Sequence, residues 1–188
     1  RGEPIIRLSD VVPEGQQRFL HDRYILDRAL SILYGDGATA KSSLALRWAI
    51  AVGIEHGPVL YLDWEDDAAT HAERLMAICT GLRIDSSEPE IYYQRRAARL
   101  ADSVREVRRL IAEKGIVLVI VDSLGMAAGD PNNHDLMIES VRACRALGVA
   151  VLAIHHLPKN STDKSKPFGS VYASNEARLT WLVEKEQE

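Results

Sequence analysis

The chain has 188 residues, and its 46% hydrophobic and 27% charged residues are close to the averages of globular proteins. This composition argues against intrinsic disorder, and the length corresponds to one ordinary domain. A formal net charge of −4 excludes a globally basic nucleic-acid coat, although not a local basic patch. The longest apolar runs are far shorter than the roughly 18 residues of a membrane span. Cys79 and Cys144 form no disulfide framework, which predicts a reducing, cytoplasmic location.

The predicted elements begin after an N-terminal arm, residues 1–28. Residues 29–34 form a short apolar run that ends in a glycine-rich turn, which predicts a buried strand. Residues 41–55 carry apolar side chains at helical spacing and are followed by a Gly-Pro stop, which predicts a helix. Residues 59–62 predict the next strand. Because the chain lacks an initiator Met and ends on a charged run, we expect it to be a piece of a longer protein.

The second half of the chain continues the same alternation. An acidic cluster precedes a helix that carries Leu75 and Met76, and Asp66 or Asp67 is expected to cap that helix. Further elements are predicted as a helix over 103–114, a strand over 116–122, a helix over 135–147 and a strand over 149–155. Parallel strands need crossover connections, so this order predicts one α/β domain over residues 29–188 with a mainly parallel central sheet.

A candidate phosphate-binding loop lies between the first strand and its helix. The expected pattern is Gly, four residues, Gly, Lys and then Ser or Thr, in a strand–loop–helix context. The candidate binding residues are Gly35, Asp36, Gly37, Ala38, Thr39, Ala40, Lys41, Ser42 and Ser43. Backbone N–H groups would surround the phosphates of ATP, with Lys41 on their oxygens and the Ser42 hydroxyl on Mg²⁺. The alternative is a glycine-rich turn followed by a surface lysine.

Ala40 stands where the pattern has its second glycine. An alanine is tolerated there if its φ angle is negative and is costly if the angle is positive. The sequence leaves these two cases open.

Carboxylates follow two of the predicted strands. Asp122 ends the most apolar strand, where a carboxylate suits a water-mediated contact to Mg²⁺; the alternative is a cap of the next turn. Glu65 could hold the attacking water in line with the γ-phosphate. Asp63, Asp66 and Asp67 compete with it for this role, since acidic clusters beside a helix start often serve only as caps.

Two polar features follow the last predicted strand. His155 and His156 are adjacent, so their side chains point to opposite faces and one imidazole could sense the phosphates; the alternative is a purely structural histidine. The next loop carries Lys159, Lys164 and Lys166 and could contact a nucleic-acid backbone. Composition alone favours the alternative, a solvated polar loop.

These motifs occur together in a recognisable order. The residues that carry it are 33–46, 59–66, 119–124, 154–156 and the tail 169–181. The sequence resembles the RecA-fold ATPases of the RepA type, which are plasmid and phage hexameric replicative helicases. This resemblance implies a three-layer RecA-like P-loop NTPase fold, an AAA-type ATPase, and a homo-oligomeric ring driven by ATP along single-stranded DNA.

The resemblance also implies roles for individual residues. Glu65 matches the catalytic glutamate, and Asp122 matches the Mg²⁺-associated aspartate. His156 matches the sensor that links the γ-phosphate to the DNA-facing loop. Arg178 matches the arginine finger that reaches a neighbouring subunit, with Lys185 as a substitute.

Two other functions are compatible with the same first motif. A related ATPase that uses ATP as an assembly or regulatory switch would hydrolyse it slowly and ignore DNA. A small-molecule kinase would share the phosphate loop but would transfer phosphate to an acceptor other than water. The glutamate after the second strand and the late arginine favour the motor.

Overall fold

The computed structural model of the protein describes residues 5–11, 17–157 and 176–185. A short 3-10 helix, Leu8–Asp10, precedes the strands and helices of the domain. The strands are β1 Phe19–His21, β2 Ile25–Leu26, β3 Leu30–Gly35, β4 Val59–Asp63, β5 Ile91–Arg95, β6 Leu118–Asp122, β7 Ala150–His156 and β8 Leu179–Val183. The helices are α1 Lys41–Glu55, α2 Ala68–Leu82, α3 Leu100–Lys114, α4 Leu124–Ala128 and α5 His134–Ala146.

Six strands form a central sheet in the order β5-β4-β6-β7-β3-β8. Every neighbouring pair runs parallel. All residues of β3, β4 and β6 are buried, which explains why these strands are continuous apolar runs rather than alternating ones. The register pairs Gly35 with His156 and Asp63 with Asp122. The carboxyl-terminal ends of these four strands therefore lie side by side at the same end of the sheet.

Helices cover both faces of this sheet. On one face, a buried cluster joins Ile32 and Leu62 to residues of α3, α4 and α5. On the other face, a second cluster joins Leu33 and Tyr61 to α1, with α2 packed beside it. The side chains of successive strand residues enter opposite clusters, as a pleated strand requires. The predicted three-layer α/β fold with a mainly parallel sheet is confirmed.

A small hairpin of β1 and β2 lies within the segment predicted as an arm. Leu20 and Ile25 are 4% and 0% exposed and belong to the cluster formed with α1. Tyr24 stacks on Trp48 with ring centroids 4.9 Å apart. The Trp181 indole N–H donates to the Tyr24 carbonyl at 3.0 Å. The hairpin is thus packed against both α1 and β8.

Most predicted boundaries agree with the structure to within three residues, and α1 agrees at both ends. Asp67 caps α2 by accepting a hydrogen bond from the Thr70 N–H at 2.9 Å, which confirms one of the two candidates. β1, β2, β5, α4 and β8 were not predicted. Among the described parts of the chain, none of the helices combines the length and hydrophobicity that crossing a bilayer requires.

Candidate active site

The loop between β3 and α1 surrounds the side chain of Lys41. The Lys41 ammonium donates to the Gly35 and Asp36 carbonyls at 3.0 and 2.6 Å and to Thr39 Oγ1 at 3.3 Å. Burial lowers the pKa of Lys41, and the nearby carboxylates of Asp122, Glu65 and Asp36 oppose that shift. A nearly buried cation is therefore fixed at the start of α1, where backbone N–H groups also favour anions.

Two alanines of this loop adopt left-handed backbone conformations. Ala40 has φ 61° and ψ 25°, and Ala38 has φ 56°. The structure thus decides the question left open by the sequence: Ala40 occupies the conformation that favours glycine. At Gly35 the reason for glycine is lack of space and not backbone conformation, because a Cβ added there would collide with the Val183 carbonyl oxygen of β8.

Asp122 ends β6 beside the phosphate loop and is only 4% exposed. Its Oδ2 accepts a hydrogen bond from the Tyr61 hydroxyl at 2.6 Å. Burial raises the pKa of Asp122, while hydrogen bonds with Tyr61 and Ser42 partly offset that rise. The Ser42 hydroxyl and the Asp122 carboxylate are hard oxygen donors, so this pair fits the chemistry of Mg²⁺.

Glu65 follows β4 and is held by two neighbours. The Ser123 hydroxyl donates to Glu65 Oε1, and His156 Nε2 lies 3.4 Å from the same oxygen. The hydrogen bond with His156 is the main reason that the pKa of Glu65 is lowered; Ser123 adds to it and burial opposes it. At neutral pH Glu65 is therefore an oriented carboxylate that can accept a proton or a hydrogen bond from water.

A cavity of about 250 Å³ brings these groups together. Its lining comprises Ala38, Thr39, Ala40, Lys41, Ser42, Ser43, Glu65, Asp66, Arg74, Asp122 and His156. The structure thus gathers most of the predicted site residues around one opening. Phosphate groups placed there would face the lysine, the serine hydroxyls and the loop amides, and Glu65 lines the same cavity.

The acidic residues that competed with Glu65 have other partners. Asp63 is fully buried and accepts from the Glu65 N–H at 2.8 Å, His71 Nε2 at 3.1 Å and the Tyr93 hydroxyl at 2.9 Å. Burial would raise the pKa of Asp63, but these hydrogen bonds hold it well below its usual range. Asp66 pairs with Arg74 at 2.8 Å, and Asp67 caps α2. Of these four acidic residues, Glu65 and Asp66 line the phosphate cavity; Asp66 is paired with Arg74, whereas Glu65 contacts Ser123 and His156.

The two histidines separate as the strand geometry predicts. His155 is 1% exposed, whereas the His156 side chain is 45% exposed and contacts Glu65. His156 also borders a second cavity of about 560 Å³. That cavity is lined by Glu65, Ser123, Gly125, Met126, Pro131, Asn132, His155, His156 and Leu157. Glu65 and His156 thus stand between the phosphate cavity and a more apolar one.

The late basic residues lie at opposite ends of β8. Arg178 is exposed, and its N–H donates to the Leu30 carbonyl at the beginning of β3. Five residues of parallel strand, about 17 Å, separate that position from the phosphate loop. Lys185 is also exposed and follows the other end of β8, near Gly35. The loop with Lys159, Lys164 and Lys166 lies outside the described residues.

Three residues at this site were not predicted from the sequence, namely Tyr61, Ser123 and Arg74. Tyr61 contacts Asp122, and Ser123 contacts Glu65, across the neighbouring strands β4 and β6. Only the register between these strands brings the residues of each pair together. Arg74 lies in the second turn of α2, and its position in the sequence does not distinguish it from a surface arginine. The sequence offered one signal for these three residues, namely that Ser123 directly follows Asp122.

The comparison with known families agrees with this geometry. A family model described as an AAA domain matches residues 6–162. The chain belongs to the AAA domain family. This AAA domain is therefore a P-loop ATPase domain, and the family match together with the phosphate loop implies nucleotide binding. No curated protein matches the chain. The narrower resemblance to RepA-type helicases stays a prediction.

Proposed function

We propose that this AAA domain hydrolyses ATP with Mg²⁺ as a replicative helicase or helicase-like motor of plasmid, phage or mobile-element type. The observation that carries the proposal is the contact of His156 with Glu65 beside the phosphate loop. The carboxylate that we propose activates water thereby contacts the last residue of β7. In the proposal, Glu65 and His156 transmit a structural change at the phosphates to the chain that follows β7.

The binding half of the site consists of the phosphate loop and the end of β6. Lys41 and the loop amides would hold the phosphates, while Ser42 and Asp122 would hold Mg²⁺. When bound, Mg²⁺ neutralises charge on the β- and γ-phosphate oxygens. The burial of Lys41 strengthens its attraction to phosphate, because the surrounding dielectric is lower than that of water.

The hydrolytic half of the site is Glu65 with its two supports. Ser123 and His156 both engage Oε1, which leaves Oε2 to orient a water molecule toward the γ-phosphate. The lowered pKa of Glu65 keeps it ionised, so that Oε2 can accept the proton of that water.

A site shared between subunits is part of the proposal, and the position of Arg178 supports it. Because Arg178 immediately precedes β8 and lies beside Leu30 at the beginning of β3, it is too far along the strand to reach the phosphate loop of its own chain. Its exposed side chain is available to a neighbouring subunit, where an arginine would stabilise charge in the transition state. Lys185 is the alternative finger. We therefore include a homo-oligomer, a hexameric ring by resemblance, in the proposal.

Mixing two inactive variants tests this shared site. Lys41→Ala removes a phosphate ligand, and Arg178→Ala removes the finger, so each variant alone should lose ATPase activity. In a 1:1 mixture, about a quarter of the interfaces would join an intact phosphate loop to an intact finger. Recovered activity supports the proposal. If the mixture stays inactive, or if Arg178→Ala alone is fully active, Arg178 is not the finger; Lys185→Ala then tests the substitute.

Single-stranded DNA is the proposed polymer partner, and the lysine loop is its proposed contact. Steady-state ATPase activity with Mg²⁺ should rise on adding DNA and should rise steeply with protein concentration. Lys164→Glu combined with Lys166→Glu should weaken DNA binding and lower its salt dependence. Slow hydrolysis that ignores DNA would instead indicate a switch-type ATPase, and phosphate transfer to another acceptor would indicate a kinase.

A further inference from the structure

Tyr61 makes a contact that the phosphate-loop pattern does not include. Its side chain is 1% exposed on β4, and its hydroxyl donates to Asp122 Oδ2 on β6 at 2.6 Å. The strand register pairs Tyr61 with Ile120, two residues before Asp122. The Tyr61 side chain therefore extends along the strand direction to the carboxyl-terminal end of β6, where Asp122 lies. Ser42 lowers the pKa of both Tyr61 and Asp122 by hydrogen bonding and lines the same cavity as Asp122, so the three groups lie close together.

The aromatic ring of Tyr61 is itself held in place. Its centroid lies 4.5 Å from that of His71 and 6.4 Å from that of Tyr93. A buried ring packed in this way has little freedom to move its hydroxyl. The hydroxyl thus restricts the orientation of a carboxylate that lies at the end of a strand.

The neighbouring strand provides a natural comparison. Asp63 is the register partner of Asp122, and it has a tyrosine of its own, because the Tyr93 hydroxyl donates to Asp63 Oδ2 at 2.9 Å. Asp63 does not line the phosphate cavity, whereas Asp122 does. Two similar tyrosine–carboxylate contacts therefore lie side by side, and only one of them belongs to the proposed metal-binding pair.

We propose that Tyr61 is a positioning residue that orients the Asp122 carboxylate for the divalent cation bound with the nucleotide. This inference rests on the proposed Mg²⁺-dependent ATPase function. Tyr61 acts only through Asp122 and Ser42. It is a positioning residue and not a catalytic one, since it does not line the phosphate cavity and its hydroxyl donates to Asp122.

The test compares Tyr61→Phe with Tyr93→Phe. Each change removes one hydroxyl and keeps the ring, and each removes a donor to a neighbouring carboxylate. Mn²⁺ serves as the probe: its free concentration is followed by electron paramagnetic resonance during titration into protein saturated with ADP. The thermal unfolding midpoint of each variant is measured in parallel, together with the Mg²⁺ concentration that gives half-maximal ATPase activity.

We expect Tyr61→Phe to weaken Mn²⁺ binding by about three- to tenfold and to raise the half-maximal Mg²⁺ concentration by a similar factor. Tyr93→Phe should change neither value, although it can lower the unfolding midpoint. Equal Mn²⁺ affinities for Tyr61→Phe and wild-type protein would overturn the inference while leaving the ATPase intact. Equal weakening in both variants would overturn it too, since the effect would then be structural. Wild-type protein that binds Mn²⁺ no better with ADP than without it would refute the proposed function as well.

Discussion

Replacing Ala40 with glycine is expected to stabilise the protein. Ala40 has φ 61°, and a left-handed conformation costs a non-glycine residue roughly 1–2 kcal/mol. Glycine removes that cost but adds conformational entropy to the unfolded chain, worth about 0.4–1 kcal/mol in the opposite direction. The difference leaves a net stabilisation of about 0.5–1 kcal/mol. For a domain of this size, the midpoint of thermal unfolding should rise by about 1–4 °C.

Ala72→Gly is the matched control for this prediction. Ala72 is exposed within α2, where the same chemical change should destabilise the protein by about 1 kcal/mol and lower the midpoint. The assay is thermal unfolding of both variants and wild-type protein without nucleotide. Opposite signs for the two variants would support the assigned conformation. A midpoint that falls for Ala40→Gly by as much as for Ala72→Gly would refute it.

Three further predictions concern the phosphate loop and the strand ends. Lys41→Ala should lower ATPase activity at least a hundredfold, whereas removing the Lys114 ammonium, which lies over the Tyr92 ring, should not. Gly35→Ala should lower the unfolding midpoint, because its Cβ would displace the Val183 carbonyl of β8. Asp63→Asn should destabilise the protein at pH 7. Hydrogen bonds hold the folded pKa of Asp63 below its usual range, so its stabilising effect is present above pH 4 and lost on acidification. The difference in midpoint between wild-type protein and Asp63→Asn should therefore shrink below about pH 4.

The parts of the fold that the sequence predicted are those with a strong local pattern. β6 is continuously apolar because both of its faces are covered, and α1 is bounded by a phosphate loop and a Gly-Pro stop. β5 and β8 were missed because they are edge strands whose half-buried residues show no long apolar run. The five-residue helix α4 is too short to show helical periodicity.

The features of the candidate site likewise divide into those that the sequence predicted and those that it could not. The phosphate loop, Glu65 and Asp122 could be predicted because their residue types follow strands at expected positions. The contacts of Tyr61 and Ser123 could not, because they depend on the register between β4 and β6. The conformation of Ala40 was also beyond the sequence, since alanine gives no local signal for a positive φ angle.

The most direct test of the central claim compares wild-type protein with Glu65→Gln. Binding of a fluorescent ATP analogue and steady-state hydrolysis of ATP would be measured for both proteins with Mg²⁺. We expect the amide to keep nucleotide binding within about twofold and to lower hydrolysis by about a hundredfold or more, because it cannot accept the proton of the attacking water. Hydrolysis by Glu65→Gln at the wild-type rate would contradict the assignment of Glu65 and the arrangement of the site built around it.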